Sequence, residues 1–111
     1  MQSMLGWLIL FFAIVFEVFG TVSMKESDGL TRLFPSILIF VFYAISFVLF
    51  ALALKTIEVG VAYAVWSGIG TIMIVIIGYY AYREPITALK AFSIMLVIAG
   101  VIGLNVSGES H

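Results

Sequence analysis

The chain is 111 residues long, 64% hydrophobic and only 10% charged, with a formal net charge of −1 and a mean hydropathy of +1.27. Soluble domains carry roughly 45–50% apolar residues, so this composition excludes one and points to lipid as the solvent of a single compact domain over residues 1–111. The near-balanced charge and the scattered Lys and Arg exclude a nucleic-acid surface, and the absence of cysteine removes disulfides, thiolate metal sites and a Cys nucleophile. The single histidine, His111, reads as a solvated terminus around which no metal ligand set can be built.

The first apolar run, Leu5 to Met24, is about 20 residues long and so about 30 Å as a helix, enough to cross a bilayer. No Lys or Arg stands in Met1 to Met4 and the run is longer than a signal peptide's apolar core, so a mature membrane helix is expected. Three more runs follow, Phe34 to Leu54, Val59 to Tyr82 and Thr87 to Val106. Unbroken apolar runs lack the alternation of a β-barrel, which leaves an all-α membrane protein with four transmembrane helices per chain.

The connections are short. Lys25 to Leu33 holds four charges and Gly29, Lys55 to Glu58 is a tight polar turn, and Arg83-Glu84-Pro85 breaks the chain. Short links make sequence neighbours antiparallel packing neighbours. Lys25, Arg32, Arg83 and Lys90 mark the side of the first and third links, against Lys55 alone on the other. This bias puts the first and third links in the cytoplasm by the positive-inside rule, but it is small enough to permit insertion in both orientations.

Glu17 is the anomaly, because the other spans hold no ionisable acid or base apart from Lys90, which stands near a helix end and can snorkel. A carboxylate at this depth costs at least ~2.5–3.5 kcal/mol, so it normally faces protein or a water-filled cavity and marks a pathway. Low dielectric disfavours the charged form, so Glu17 is expected to hold a proton until a cation or water replaces it. A structural ion pair is one alternative, but every Lys and Arg sits in a link or at a span end. A permanently neutral hydrogen-bond donor between helices is another, worth typically ~0.6 kcal/mol in membranes.

Counting by three and four, Trp7, Leu10, Ala13, Ile14, Glu17 and Thr21 share a face, which gives the acid an apolar and aromatic surround suited to a hydrophobic cation. In the third span Tyr63, Trp66, Ser67 and Gly70 share a face, and in the second Tyr43, Ser46, Phe47 and Phe50 form a similar stripe. Aromatic faces attract cations at ~0.5–2 kcal/mol per good contact, and quaternary ammonium groups exploit such cages. Trp7, Tyr79, Tyr80 and Tyr82 also suit an interfacial belt. Small residues mark close helix contacts: Gly60, Ala64 and Gly68 suit packing within the chain, and Ser93, Gly100 and Gly103 suit association with a second copy. The Ser67-Gly68 pair invites a bend in the third helix.

Several motifs in order make the chain resemble the small multidrug resistance transporters. They are Phe16-Glu17-Val18 followed by Lys25, then Gly29-Leu30-Thr31-Arg32 with Pro35, and Tyr43 with Ser46-Phe47. The stretch from Gly60 to Gly70 (GVAYAVWSGIG) follows, and then Ala99-Gly100-Val101 with Asn105. The resemblance implies an antiparallel homodimer in a bacterial or archaeal inner membrane, with a heterodimer partner known for some members. It also implies that the two Glu17 carboxylates bind either protons, the coupling ion in place of any cofactor, or one cationic substrate.

Carried over by position, Trp66 and Tyr63 look like aromatic walls of that site and Tyr43 like a further pocket residue, while Leu10, Ala13, Ile14, Gly20 and Thr21 match positions flanking the acid. Gly100 matches a glycine of the dimer helix, but Ser93 stands where the multidrug branch often has Gly. Gly20 and Ser67 look like the multidrug branch, whereas Arg83-Glu84-Pro85 and Thr87-Ala88-Leu89-Lys90 look closer to the guanidinium-exporting branch. The pocket positions favour multidrug substrates. A guanidinium exporter and a non-transporting, proton-carrying membrane subunit are the alternatives. An enzyme is not expected, since no nucleophile and base pair, metal cluster or phosphate loop appears.

Overall fold

The computed structural model describes the backbone of residues 2–109 and the side chains of residues 4–106; His111 lies outside them. Four helices run in order, α1 (Gln2–Glu26), α2 (Leu33–Ala53), α3 (Val59–Tyr82) and α4 (Ala88–Glu109). All four are long and apolar enough to cross a membrane, and no strand occurs among the described residues. Helices result because each span must satisfy its own backbone groups in lipid, where no water can do so. The chain divides into two compact units, residues 1–57 and residues 58–111, each a helix pair.

In the first unit α1 and α2 pack along their length as an antiparallel hairpin. Small residues recur every seven positions on α1, at Gly6, Ala13 and Gly20, and all three are buried. A Cβ on Gly6 would collide with the Thr56 hydroxyl, and one on Gly20 would stand 2.5 Å from the Tyr43 ring. Between them the Ser46 hydroxyl donates to the Ala13 carbonyl at 2.7 Å. Such small side chains let two backbones approach closely, and close packing replaces the hydrophobic drive that lipid does not supply.

The turn after α1 is built on Ser27, whose hydroxyl donates to the Met24 carbonyl at 2.7 Å and accepts from the Leu30 N–H at 3.0 Å. Its carbonyl receives the N–H groups of Thr31 and Arg32. Asp28, Gly29 and Leu30 all have positive φ, of 51°, 71° and 71°, so the chain reverses through a left-handed segment that favours glycine throughout but has it only at Gly29. The α2–α3 link is only five residues long, and the N–H groups of Thr56 and Ile57 both return to the Ala53 carbonyl.

In the second unit α3 is one continuous helix through Ser67 and Gly68, where the sequence invites a bend. Of the expected small stripe, Gly68 makes the close contact, its would-be Cβ lying 2.7 Å from Val101 Cγ2 and 3.3 Å from Val97 Cγ1 on α4. Gly60 is exposed, and a Cβ there would meet no described atom within 4 Å. Arg83 ends α3 in the left-handed conformation, and its N–H and that of Glu84 both reach the Gly78 carbonyl. Gly78 lacks the side chain that would strike the Glu84 carboxylate folded over it. The last helix starts at Ala88, one residue later than its apolar run, because Thr87 caps it: the Thr87 hydroxyl accepts the Lys90 N–H at 3.1 Å. Lys90 itself donates from Nζ to the Pro85 carbonyl at 2.6 Å.

Candidate functional site

Glu17 lies two-thirds of the way along α1 and is half-buried. One helical turn later Thr21 donates its hydroxyl proton to Glu17 Oε2 at 2.8 Å. The same Thr21 oxygen lies 2.8 Å from the Tyr43 hydroxyl on α2. A threonine has a single hydroxyl proton, and here it points at the carboxylate, so Tyr43 must be the donor to Thr21. The three side chains form one directed chain, Tyr43 to Thr21 to Glu17, that holds one carboxylate oxygen in place. The other oxygen, Oε1, has no hydrogen-bond partner among the described residues, which leaves it free to take a proton or to face a cation.

The backbone explains why these groups meet. The i, i+4 spacing of Glu17 and Thr21 stacks them on one face of α1, and Gly20 lets the Tyr43 ring settle against that face. Tyr43 stacks in turn on Phe47 one turn along α2, with ring centroids 5.9 Å apart. Phe47 is 58% exposed and offers a ring face at the edge of the site.

Leu10, Ala13 and Ile14 share the face of the acid as expected, but they are fully buried, at 1%, 0% and 0% exposure. Ser46 is likewise 0% exposed and its proton is committed to Ala13. In this conformation these four residues offer a ligand no surface; they fix the seating of α1 against α2 that sets the position of Glu17. Tyr63 and Trp66 lie on α3 in the second unit, one turn apart on one face, Tyr63 65% exposed and Trp66 half-buried. On α4, Ser93, Gly100 and Gly103 are all exposed, and neither glycine has a described atom within 4 Å of where a Cβ would stand.

A group of rings beside the acid was not singled out from the sequence. Phe16 and Phe19 on α1 meet Phe42 on α2, with centroids 6.2 and 5.6 Å from it. The available signal was the i, i+3 spacing of Phe16 and Phe19 around Glu17, next to a Phe42-Tyr43 pair. No group of three or more His, Cys, Asp or Glu among the described residues could hold a metal ion.

Residues 5–97 match the family model described as Small Multidrug Resistance protein. The chain is 50% identical over 101 residues to the uncharacterized membrane protein YvaE of Bacillus subtilis, covering 91% of this chain and 85% of that one. It is 43% identical over 107 residues to the quaternary ammonium compound-resistance protein QacE of Escherichia coli, covering 96% and 97%. It is also 42% identical over 104 residues to the multidrug resistance protein EbrB of Bacillus subtilis, covering 94% and 89%.

Proposed function

The chain belongs to the small multidrug resistance family, and from that premise we propose that it is a proton-coupled exporter of hydrophobic or quaternary ammonium cations in which protons and substrate compete for Glu17. It is a multi-pass membrane transport protein and not an enzyme. The substrate class follows the relatives named for quaternary ammonium and multidrug resistance. The observation that carries the mechanism is the carboxylate itself, held through Oε2 by Thr21 and open at Oε1 within a membrane span.

Competition supplies the coupling. A proton on Oε1 neutralises Glu17, and a cation with no hydrogen to donate is attracted only by the ionised form, so the two ligands exclude each other. When only loaded states change orientation readily, downhill proton entry is linked to cation exit by a free energy of binding. Tyr43 and Phe47 supply aromatic faces beside the acid, and Tyr63 and Trp66 carry faces of the same kind within the second unit, each worth ~0.5–2 kcal/mol to a desolvated cation. The bacterial plasma membrane is the setting. The working unit is an antiparallel pair of chains inserted in opposite orientations, following the inverted-repeat logic of larger transporters, with the exposed Ser93, Gly100 and Gly103 on α4 as the contact. A related second chain could take one of the two places.

Proton release by the purified protein in detergent tests the exchange directly. Adding a quaternary ammonium cation should release protons from wild type and not from Glu17→Gln. Release on adding guanidinium alone would assign the chain to the guanidinium branch. Release with neither cation would sink the exchange mechanism and favour a non-transporting subunit.

A further inference from the structure

Away from Glu17, the opposite end of the first helix pair carries a groove of about 430 Å³ lined by Leu5, Gly6, Ile9, Leu52, Lys55 and Thr56. Its position is set by the ends of two spans, since the first begins at Met4 and the second ends at Ala53. The groove therefore opens at the depth where acyl chains give way to headgroups. Its wall chemistry is split accordingly. Leu5, Ile9 and Leu52 face it with hydrocarbon, and Lys55 and Thr56 stand at its polar end. Neither the Lys55 ammonium nor the Thr56 hydroxyl has a hydrogen bond or ion pair among the described residues. Gly6 keeps the cleft open, because any side chain there would strike the Thr56 hydroxyl.

We propose that this groove is a binding site for an anionic phospholipid, its phosphate received by Lys55 and Thr56 and its first acyl carbons by Leu5, Ile9 and Leu52. Charge complementarity selects the occupant: the one cation at the rim meets anionic headgroups in the interface, whereas a zwitterionic headgroup brings its own ammonium against Lys55. A soluble anion would gain the same charge contact but nothing from the three apolar walls. The site rests on the membrane-spanning character of the chain and not on the export reading, so it stands or falls independently of Glu17.

Native mass spectrometry of the full-length protein in detergent, supplied with phosphatidylglycerol or with phosphatidylcholine of the same acyl chains, tests the assignment. Wild type should retain phosphatidylglycerol in preference, and Lys55→Gln should lower that preference about fivefold, the scale of one interfacial lysine against an anionic headgroup. Lys55→Arg should keep it, and so should Lys90→Gln, whose ammonium is already engaged by the Pro85 carbonyl. Filling the groove with Leu52→Trp should reduce phosphatidylglycerol retention while Lys55 remains. Equal retention of the two lipids by wild type, or an unchanged preference in Lys55→Gln, would overturn the site. Competition by glycerol phosphate as effective as that of the lipid would assign the contact to the free anion and overturn it equally.

Discussion

Replacing Gly20 by alanine should weaken cation binding without altering a single polar group. The new Cβ would stand 2.5 Å from both Cδ1 and Cε1 of Tyr43, whereas carbon atoms in good contact sit ~3.5–4.0 Å apart. The ring must retreat by roughly 1 Å to reach that range. Its hydroxyl now lies 2.8 Å from Thr21 Oγ1, and a retreat of that size carries it past the ~2.5–3.0 Å window for O–H···O bonds. Thr21 then loses the donor that polarises it toward Glu17. One such bond is worth ~1 kcal/mol, or about fivefold in affinity. Titration calorimetry with a quaternary ammonium cation should show this loss in Gly20→Ala and a similar one in Tyr43→Phe. The double variant should be no weaker than either single one, because both break the same bond. Overpacking adds a stability cost of ~1–3 kcal/mol, so a thermal melt must accompany each titration. Wild-type affinity in a folded Gly20→Ala, or losses that sum in the double variant, would refute the directed chain.

Raising the proton concentration should weaken cation binding by wild type and leave any residual binding by Glu17→Gln flat, as pH-dependent titrations of the two would show. Glu17→Asp should keep the charge but draw the carboxylate back from Thr21, so transport in vesicles should fall while proton release persists. Ser46→Ala removes the bond to the Ala13 carbonyl and should cost ~0.6–1.7 kcal/mol, read as a drop in melting temperature with cation affinity little changed. Gly68→Ala should destabilise the second helix pair by ~1–3 kcal/mol through collision with Val101, and Val101→Ala should restore the melting temperature.

The spans were legible because length and apolarity alone decide them. Val59–Tyr82 was bounded as observed, and the second helix differs by one residue at each end. The apolar run begins one residue before α4, at Thr87, whose apolar neighbours mask a capping hydroxyl. The identity and face of the acid are equally plain in the sequence, where spacing puts Thr21 on that face and the family resemblance adds Tyr43. Their connection was not legible, since it depends on the register of α1 against α2. That register is set by the small residues at 6, 13 and 20. Counting by three and four from the charged residue passes over this seven-residue repeat, and a small residue announces packing only once its partner helix is known.

The same dependence explains why Leu10, Ala13, Ile14 and Ser46 are buried instead of lining an open wall. An apolar residue one or two turns from a carboxylate suits either a ligand or a neighbouring helix, and α2 occupies that side. What remains accessible near Glu17 in the first helix pair is aromatic, with Phe19 48% and Phe47 58% exposed. A ring face attracts a cation without demanding a particular hydrogen-bond geometry. The tightly packed face therefore fixes where the charge stands, and the aromatic edge leaves the shape of its partner open. On the proposed exchange at Glu17, precise seating of one carboxylate and tolerance toward many cations are thus compatible, because different residues would impose them.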